Sequence, residues 1–260
     1  MSLVPLDYVD THRRFLQILM RRRMILYDEA FDVFCKIQQS VNEENAANSH
    51  HREMEQAVSL INRVIKRFNM EIQCAQDEIT SEKCYLFIST VENNITGKYT
   101  KYSAVELEFF KKVLFEIVSS ENGHVSSTVC LNLNSSLPGN MTKSDIEALI
   151  EKFCEDLWLS QKNGKVYLSL LSIVELEPLL TTAYEDSVNI CCLCKHLVIQ
   201  GYRCDKCFAL LHLHCARLYT EGANRNTCPA CSADQPNILA AVENTSLHTE
   251  DDFSTPTSHG

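Results

Sequence analysis

Four couples of potential metal ligands crowd the C-terminal third of the chain, each with a two-residue gap: Cys191-x-x-Cys194, Cys204-x-x-Cys207, His212-x-x-Cys215 and Cys228-x-x-Cys231. Such a gap lets a tight turn aim both side chains at one tetrahedral ion. Eight ligands satisfy two zinc ions with four apiece, and no coordination position stays open, so both sites read as structural rather than catalytic. The segment has few large apolar residues, and its own core must be small. Zinc-finger peptides gain roughly 10–16 kcal/mol from their ion, so metal supplies the fold here.

Two positions need a choice. Cys191 and Cys192 are adjacent; the two-residue gap selects Cys191 and leaves Cys192 as a small side chain exposed on the loop. His214 directly precedes Cys215, an awkward geometry for sharing an ion, which selects His212. A cross-braced arrangement puts Cys191, Cys194, His212 and Cys215 on one ion and Cys204, Cys207, Cys228 and Cys231 on the other. Only four residues separate Cys207 from His212, which disfavours two consecutive fingers without forbidding them. Variant RING domains and PHD fingers both use this ligand order. PHD fingers carry a tryptophan two residues before the seventh ligand; here Asn226 stands there, and the one tryptophan of the chain is Trp158. A methyl-lysine cage would have only Tyr202, Phe208 and Tyr219 to draw on. Cys228-Pro229-Ala230-Cys231 instead looks like the ending of a RING domain.

The chain holds 13 cysteines. The opening MSLVPLDYVDTHRRF lacks an apolar core of secretory type, so the expectation is an intracellular, reducing setting in which metal binding outranks disulfides. The remaining cysteines, Cys35, Cys74, Cys84, Cys130 and Cys154, sit in apolar-periodic stretches and read as buried thiols. A formal charge of −10 argues against wholesale wrapping by nucleic acid; Arg13, Arg14, Arg21, Arg22 and Arg23 read first as a solvated helix end, with a local basic face as the alternative. No apolar run reaches the roughly 18–20 residues of a membrane span.

Ahead of the cysteines, a similar order of elements occurs twice. THRRFLQILMRRR places Phe15, Leu16, Leu19 and Met20 on one helical face. YDEAFDVFCKIQQ follows, with Asp28 as its N-cap and Ala30, Phe31, Phe34 and Ile37 at helical spacing. HREMEQAVSLINRVIKRF stripes Met54, Ala57, Val58, Ile61, Val64, Ile65 and Phe68. MEIQCA and CYLFIST then read as strands. Residues 92–102 read as a linker. SAVELEFFKKVLFEIVSS is amphipathic through Val105, Leu107, Phe109, Val113, Leu114 and Ile117, and a shorter element surrounds VCLNLNSS. Thr142 or Ser144 caps KSDIEALIEKFCEDLW, whose Ile146, Leu149, Ile150, Phe153 and Leu157 face a core. Asn163-Gly164 supplies the positive φ angles of a hairpin turn, and SIVELEPLLTTAY closes the unit as a helix. Helices followed by a hairpin are the order of a winged-helix domain. The expected class is α+β, with winged-helix domains at 1–91 and 103–184, a two-zinc variant RING at 188–235 and a disordered tail at 236–260.

Taken together, the chain resembles the non-SMC element 1 family, subunits of the structural-maintenance-of-chromosomes five–six complex. THRRFLQILM, SSTVCLNL and the segment from NICCLC to CPAC carry the resemblance, which spans residues 8 to about 235. It implies tandem winged-helix domains before a variant RING, docking to a MAGE-type winged-helix subunit and to a kleisin subunit, and a nuclear, chromosome-associated role in DNA repair by homologous recombination. It also implies RING-type ubiquitin ligase activity enhanced by the MAGE partner, with DNA contact through the complex and no membrane. A RING has no nucleophile; it restricts the ubiquitin thioester on a conjugating enzyme to reactive poses. Cys192, Leu193, Leu197 and Pro229 are the contacts expected for that enzyme. Cys192 replaces the large aliphatic residue usual in active RINGs, and Ser232 the basic residue after the last ligand, so activity is expected to depend on the partner. A non-catalytic scaffold and a PHD-type histone reader are the alternatives.

Overall fold

The computed structural model describes residues 8–41, 51–91, 101–139, 141–184, 187–223, 226–235 and 238. The linker, apart from Lys101 and Tyr102, and all of the tail except residue 238 lie outside them.

The first unit runs α1 (Asp10–Arg22), β1 (Met24–Leu26), α2 (Tyr27–Val41), α3 (His51–Ile65), β2 (Met70–Gln76) and β3 (Lys83–Ser89). Its sheet is antiparallel in the order β1-β3-β2. Strand β1 was not expected from the sequence. Met24-Ile25-Leu26 is too short to show a period, and it becomes a strand only because β3 offers an edge, pairing Ile25 with Tyr85. Asp28 is not an N-cap; it lies inside the first turn of α2, where its charge suits the helix dipole. Phe15 and Leu19 are buried as expected, whereas Met20 and Phe68 are exposed.

Strand β3 is apolar without alternation because both its faces are covered. Tyr85 and Phe87 join the helical core with Phe15, Phe34 and Ile61. Cys84, Leu86 and Ile88 turn the other way, onto Leu170 and Leu171 of the second unit. A continuous apolar strand is the mark of two-sided burial.

The second unit comprises α4 (Ala104–Ser119), β4 (Val125–Ser126), α5 (Ser127–Asn132), α6 (Lys143–Glu155), β5 (Leu159–Lys162), β6 (Lys165–Leu168) and α7 (Leu170–Ala183), with sheet order β4-β6-β5. Ser103 and Glu106 form a capping box on α4, and Thr142 with Asp145 forms one on α6. Asn163 and Gly164 both take positive φ, at 51° and 72°, as the hairpin requires. Trp158 is buried against Phe153, Phe110 and Tyr102. Tyr102, at the end of the segment read as linker, is therefore core. Leu157 lies beyond the end of α6 at φ 59° and packs on the inter-unit cluster instead.

One further expectation is corrected: Cys84 and Cys130 are buried, but Cys74 is exposed and Cys35 and Cys154 are intermediate. Of the arginines, Arg14 pairs with Asp10, Arg22 with Glu29 and Arg23 with Glu175. No helix among the described residues is long and apolar enough to cross a membrane.

Candidate metal centre

The C-terminal module is built from two small hairpins, β7 (Asn189–Ile190) with β8 (Leu197–Val198) and β9 (Tyr202–Arg203) with β10 (Leu210–Leu211), followed by α8 (Leu213–Ala223). Three of the ligand couples share one turn geometry. In each, the first cysteine accepts at its carbonyl from the residue four on: Lys195 to Cys191 at 3.0 Å, Phe208 to Cys204 at 3.0 Å and Ser232 to Cys228 at 2.8 Å. That residue has positive φ every time, at 66°, 62° and 60°. The next residue closes the loop by accepting from the amide of the first cysteine. The fourth couple differs: His212 and Cys215 straddle the start of α8, where Ala216 N donates to His212 O at 2.9 Å.

The tertiary fold sorts the eight ligands crosswise. Cys191, Cys194, His212 and Cys215 converge, as do Cys204, Cys207, Cys228 and Cys231, with the donor atoms of each group within 4.8 Å of one another. Cys204 Sγ lies 3.8 Å from Cys231 Sγ, and Cys207 Sγ lies 3.7 Å from Cys228 Sγ. A tetrahedron with metal–sulfur bonds of about 2.3 Å has edges of about 3.8 Å, which these two edges match. His212 offers Nδ1, which stands 3.3 Å from Cys194 Sγ and 3.8 Å from Cys215 Sγ.

Electrostatics favour a thiolate at one cysteine of each cluster, Cys191 and Cys204, whereas burial pushes the Cys215 thiol up to about 12 and the Cys228 thiol up. Burial pushes the Cys191 thiol up, but hydrogen bonds from His212 and from the backbone at Cys194 and Leu193 outweigh it and bring it down to about 5. At Cys204 burial is again overcome, by the amides of Cys207 and Lys206, to about 7. Lys206 N and Ala230 N donate to the first sulfur of their knuckles, each at 3.4 Å. A thiolate is the form that ligates metal.

His214 stays outside both clusters. It stacks on His212 with ring centroids 4.8 Å apart, and burial, with His212 beside it, holds its imidazole neutral, down to about 4. Cys192 is half-buried, not exposed, and packs with Leu193 against the module's core of Val198, Tyr202, Leu211 and Ile238. Ile238 thus belongs to the module, though the sequence placed it in the tail. Leu197, expected to face a conjugating enzyme, is 2 % exposed and packs into the second unit with Ile199. Of the four expected contacts, Cys192, Leu193 and Pro229 retain partial exposure. Tyr202 is buried and donates its hydroxyl to Gln235 at 2.6 Å, so it cannot line a methyl-lysine cage.

Spacing alone did not reveal the carboxylates that seat this module. Glu177 of α7 accepts from Leu197 N at 2.8 Å and stands 3.3 Å from His196 Nδ1. Glu78, in the β2–β3 turn, accepts from Ile199 N at 3.0 Å and Gln200 N at 2.9 Å. Acidic residues on a turn and on a helix look like solvated surface until another unit packs over them.

Two helical units with small sheets, carrying a C-terminal RING-like module with two Cys/His clusters that can hold metal ions, define the class of protein. Residues 12–136 match the family described as the Nse1 non-SMC component of the SMC5-6 complex, and residues 191–231 match the RING-like domain. The relatives named non-structural maintenance of chromosomes element 1 homolog are 32 % identical in mouse and in human, over 90 % of this chain and 87 % and 86 % of theirs. The Drosophila melanogaster relative is 27 % identical over 67 % of this chain. A chain of a solved Nse1-Nse3-Nse4 complex superposes with a TM-score of 0.75 at 31 % identity, covering 89 % of this chain and 99 % of that one. This chain belongs to the Nse1 family.

Proposed function

We propose that the chain is a RING-type ubiquitin ligase subunit of a chromosome-maintenance complex of the five–six type. It docks a MAGE-type winged-helix subunit and a kleisin, and acts in the nucleus in DNA repair by homologous recombination. The observation that carries this is the crosswise convergence of the eight ligands behind two helical units, in a chain similar to one from an Nse1-Nse3-Nse4 complex. In this reading residues 1–91 and 103–184 are winged-helix domains, 92–102 joins them, and 188–235 is the variant RING. The element orders support it: three helices with a short strand inserted, then a hairpin, in the first unit.

Zinc is the ion that suits three cysteines with one histidine, and four cysteines, in closed tetrahedral sites. Cys191, Cys194, His212 and Cys215 would hold one, and Cys204, Cys207, Cys228 and Cys231 the other. Each ion supplies folding free energy and no reaction step. The protein's part in ligation is to present a rigid platform. Cys192 and Leu193 of the first knuckle and Pro229 of the last would meet the conjugating enzyme, whose thioester would then be held in a reactive orientation.

A second reading has its own support. Leu197 is sealed beneath the second unit, Cys192 is half-buried, and Ser232 stands where a basic residue is expected. These favour a scaffold whose zinc module organises an interface. Ubiquitin discharge from a charged conjugating enzyme separates the two, measured with and without the MAGE and kleisin subunits. Discharge that rises with the MAGE partner and is lost in Pro229→Ala supports ligation. Background discharge in both conditions, with the three subunits co-purifying, leaves the scaffold.

A further inference from the structure

The two metal clusters are not equivalent in what surrounds them. The Cys204/Cys207/Cys228/Cys231 cluster is made of knuckle cysteines supplied within the module. The other contains His212, whose Nδ1 faces the cysteines while Nε2 lies 2.9 Å from Leu197 O and 3.2 Å from Glu78 Oε1. Glu78 comes from the first unit, 121 residues before Ile199, and is only 4 % exposed. A buried carboxylate is costly unless its oxygens are satisfied. Here Oε1 accepts from Ile199 N and Oε2 from Gln200 N; the imidazole Nε2 has Leu197 O as its nearer partner at 2.9 Å, and Glu78 Oε1 stands beside the same nitrogen as its charge partner at 3.2 Å.

The turn that presents Glu78 is itself fixed. Asp77 Oδ1 accepts from Ile79 N and Thr80 N, each at 2.8 Å, and Asp77 N donates to Glu82 O at 2.9 Å. Gln76 Nε2 adds a bond to Ser81 O at 2.6 Å. The carboxylate is therefore held in place by the first unit rather than by the module it contacts. A group accepting from the far nitrogen of a ligating imidazole fixes which nitrogen carries the proton, orients the ring and raises its basicity toward the metal. Loss of such a partner typically lowers metal affinity by about 10–100-fold.

We propose that Glu78 is the positioning carboxylate of the Cys191/Cys194/His212/Cys215 site, so that full zinc retention there requires the module to be docked on the first unit. This rests on the two-zinc reading above. By linkage the coupling is reciprocal: zinc in this site holds the β2–β3 turn against residues 199–200, whereas zinc in the other site does not.

The test uses the full-length protein loaded with zinc. Release into a chromogenic chelator is followed for wild type, Glu78→Ala and the nearly isosteric Glu78→Gln. In Glu78→Ala one of the two equivalents is expected to leave about 10–100-fold faster and the other at the wild-type rate. Glu78→Gln keeps one carbonyl oxygen and should fall between. Cadmium-113 NMR gives a readout that general destabilisation would not mimic: the resonance of the three-cysteine, one-histidine site shifts in Glu78→Gln, and the four-cysteine resonance stays. In the converse experiment, Cys194→Ser raises amide exchange across residues 77–82, and Cys207→Ser leaves it unchanged. Two equivalents in wild type with release from Glu78→Ala within twofold of it, or an unshifted cadmium resonance, overturns the inference alone. Fewer than two equivalents in wild type overturns the two-zinc reading with it.

Discussion

Replacing Arg23 should unsettle the joint between the two helical units more than its place at the end of a surface helix suggests. Its Nη2 donates to Glu175 Oε2 at 3.0 Å and Oε1 at 3.2 Å, and Ser89 N donates to the same carboxylate at 3.1 Å. The Glu175 side chain is 4 % exposed and that of Arg23 is 33 % exposed. Removing one partner of a buried ion pair costs about 3–5 kcal/mol, because the other charge stays buried. Two features lower that figure here: a third of the arginine is in water, and Ser89 still donates. About 2 kcal/mol remains for Arg23→Met, equivalent to a Tm lower by about 4–8 °C for a chain of this size. Glu175→Leu should cost less, about 1 kcal/mol, since the freed guanidinium can reach solvent. The double variant replaces the pair by apolar groups and should return to within about 1 kcal/mol of wild type. Thermal unfolding followed by fluorescence suits the question, because Trp158 is the sole tryptophan and is 2 % exposed. A coupling energy of about 2 kcal/mol is expected across the cycle. Additive single effects, within about 0.5 kcal/mol, would refute the idea that this pair holds the joint.

Other outcomes follow from the same structure. A Cβ at Gly201 would lie 2.1 Å from Leu211 O, next to His212. Gly201→Ala should therefore cost about 1–3 kcal/mol through overpacking and speed zinc loss on chelation, while Gly222→Ala, which meets nothing within 4 Å, leaves zinc retention unchanged. Trp158→Ala should destabilise the second unit by about 3–5 kcal/mol, read by denaturant unfolding monitored by circular dichroism. Asp156 and Glu106 are both held below their ordinary values of 3.8 and 4.5: burial raises each, but bonds from Lys101 and Tyr102 to the first, and from Ser103 and Lys152 to the second, outweigh it. A depressed carboxylate stabilises the fold above its ordinary value and stops doing so as pH falls through its folded one. Acid unfolding should thus set in below about pH 4.5, and Asp156→Asn should flatten that limb in a pH titration of Trp158 fluorescence.

The two Cys/His clusters were legible in the sequence because their signal is local: a knuckle needs two cysteines three apart. The positive φ just after them was not legible, because Lys195, Phe208 and Ser232 stand there rather than glycine or asparagine. Helices with a strong apolar stripe, such as residues 51–65, announce themselves locally too: one face repeats every few residues. Strand β1 had no such repeat, and its three residues took their conformation from the edge of β3.

Burial of a particular side chain was less legible wherever two units meet. Leu197 read as a surface contact because nothing in its neighbourhood predicts that α7 covers it; Met20 read as core because the helical stripe continues past the point where packing stops. Glu78, Glu175 and Glu177 read as solvated charge. Each accepts hydrogen bonds from another unit, and only the assembled fold brings those donors within reach.

By itself the sequence determined the closely spaced Cys and His couples and the periodic helices before them, since these depend on residues a few positions apart. Tertiary structure decided how the units sit together and which buried carboxylate completes each joint. A carboxylate loses its water only when a distant segment closes over it, and no short-range pattern records that closure.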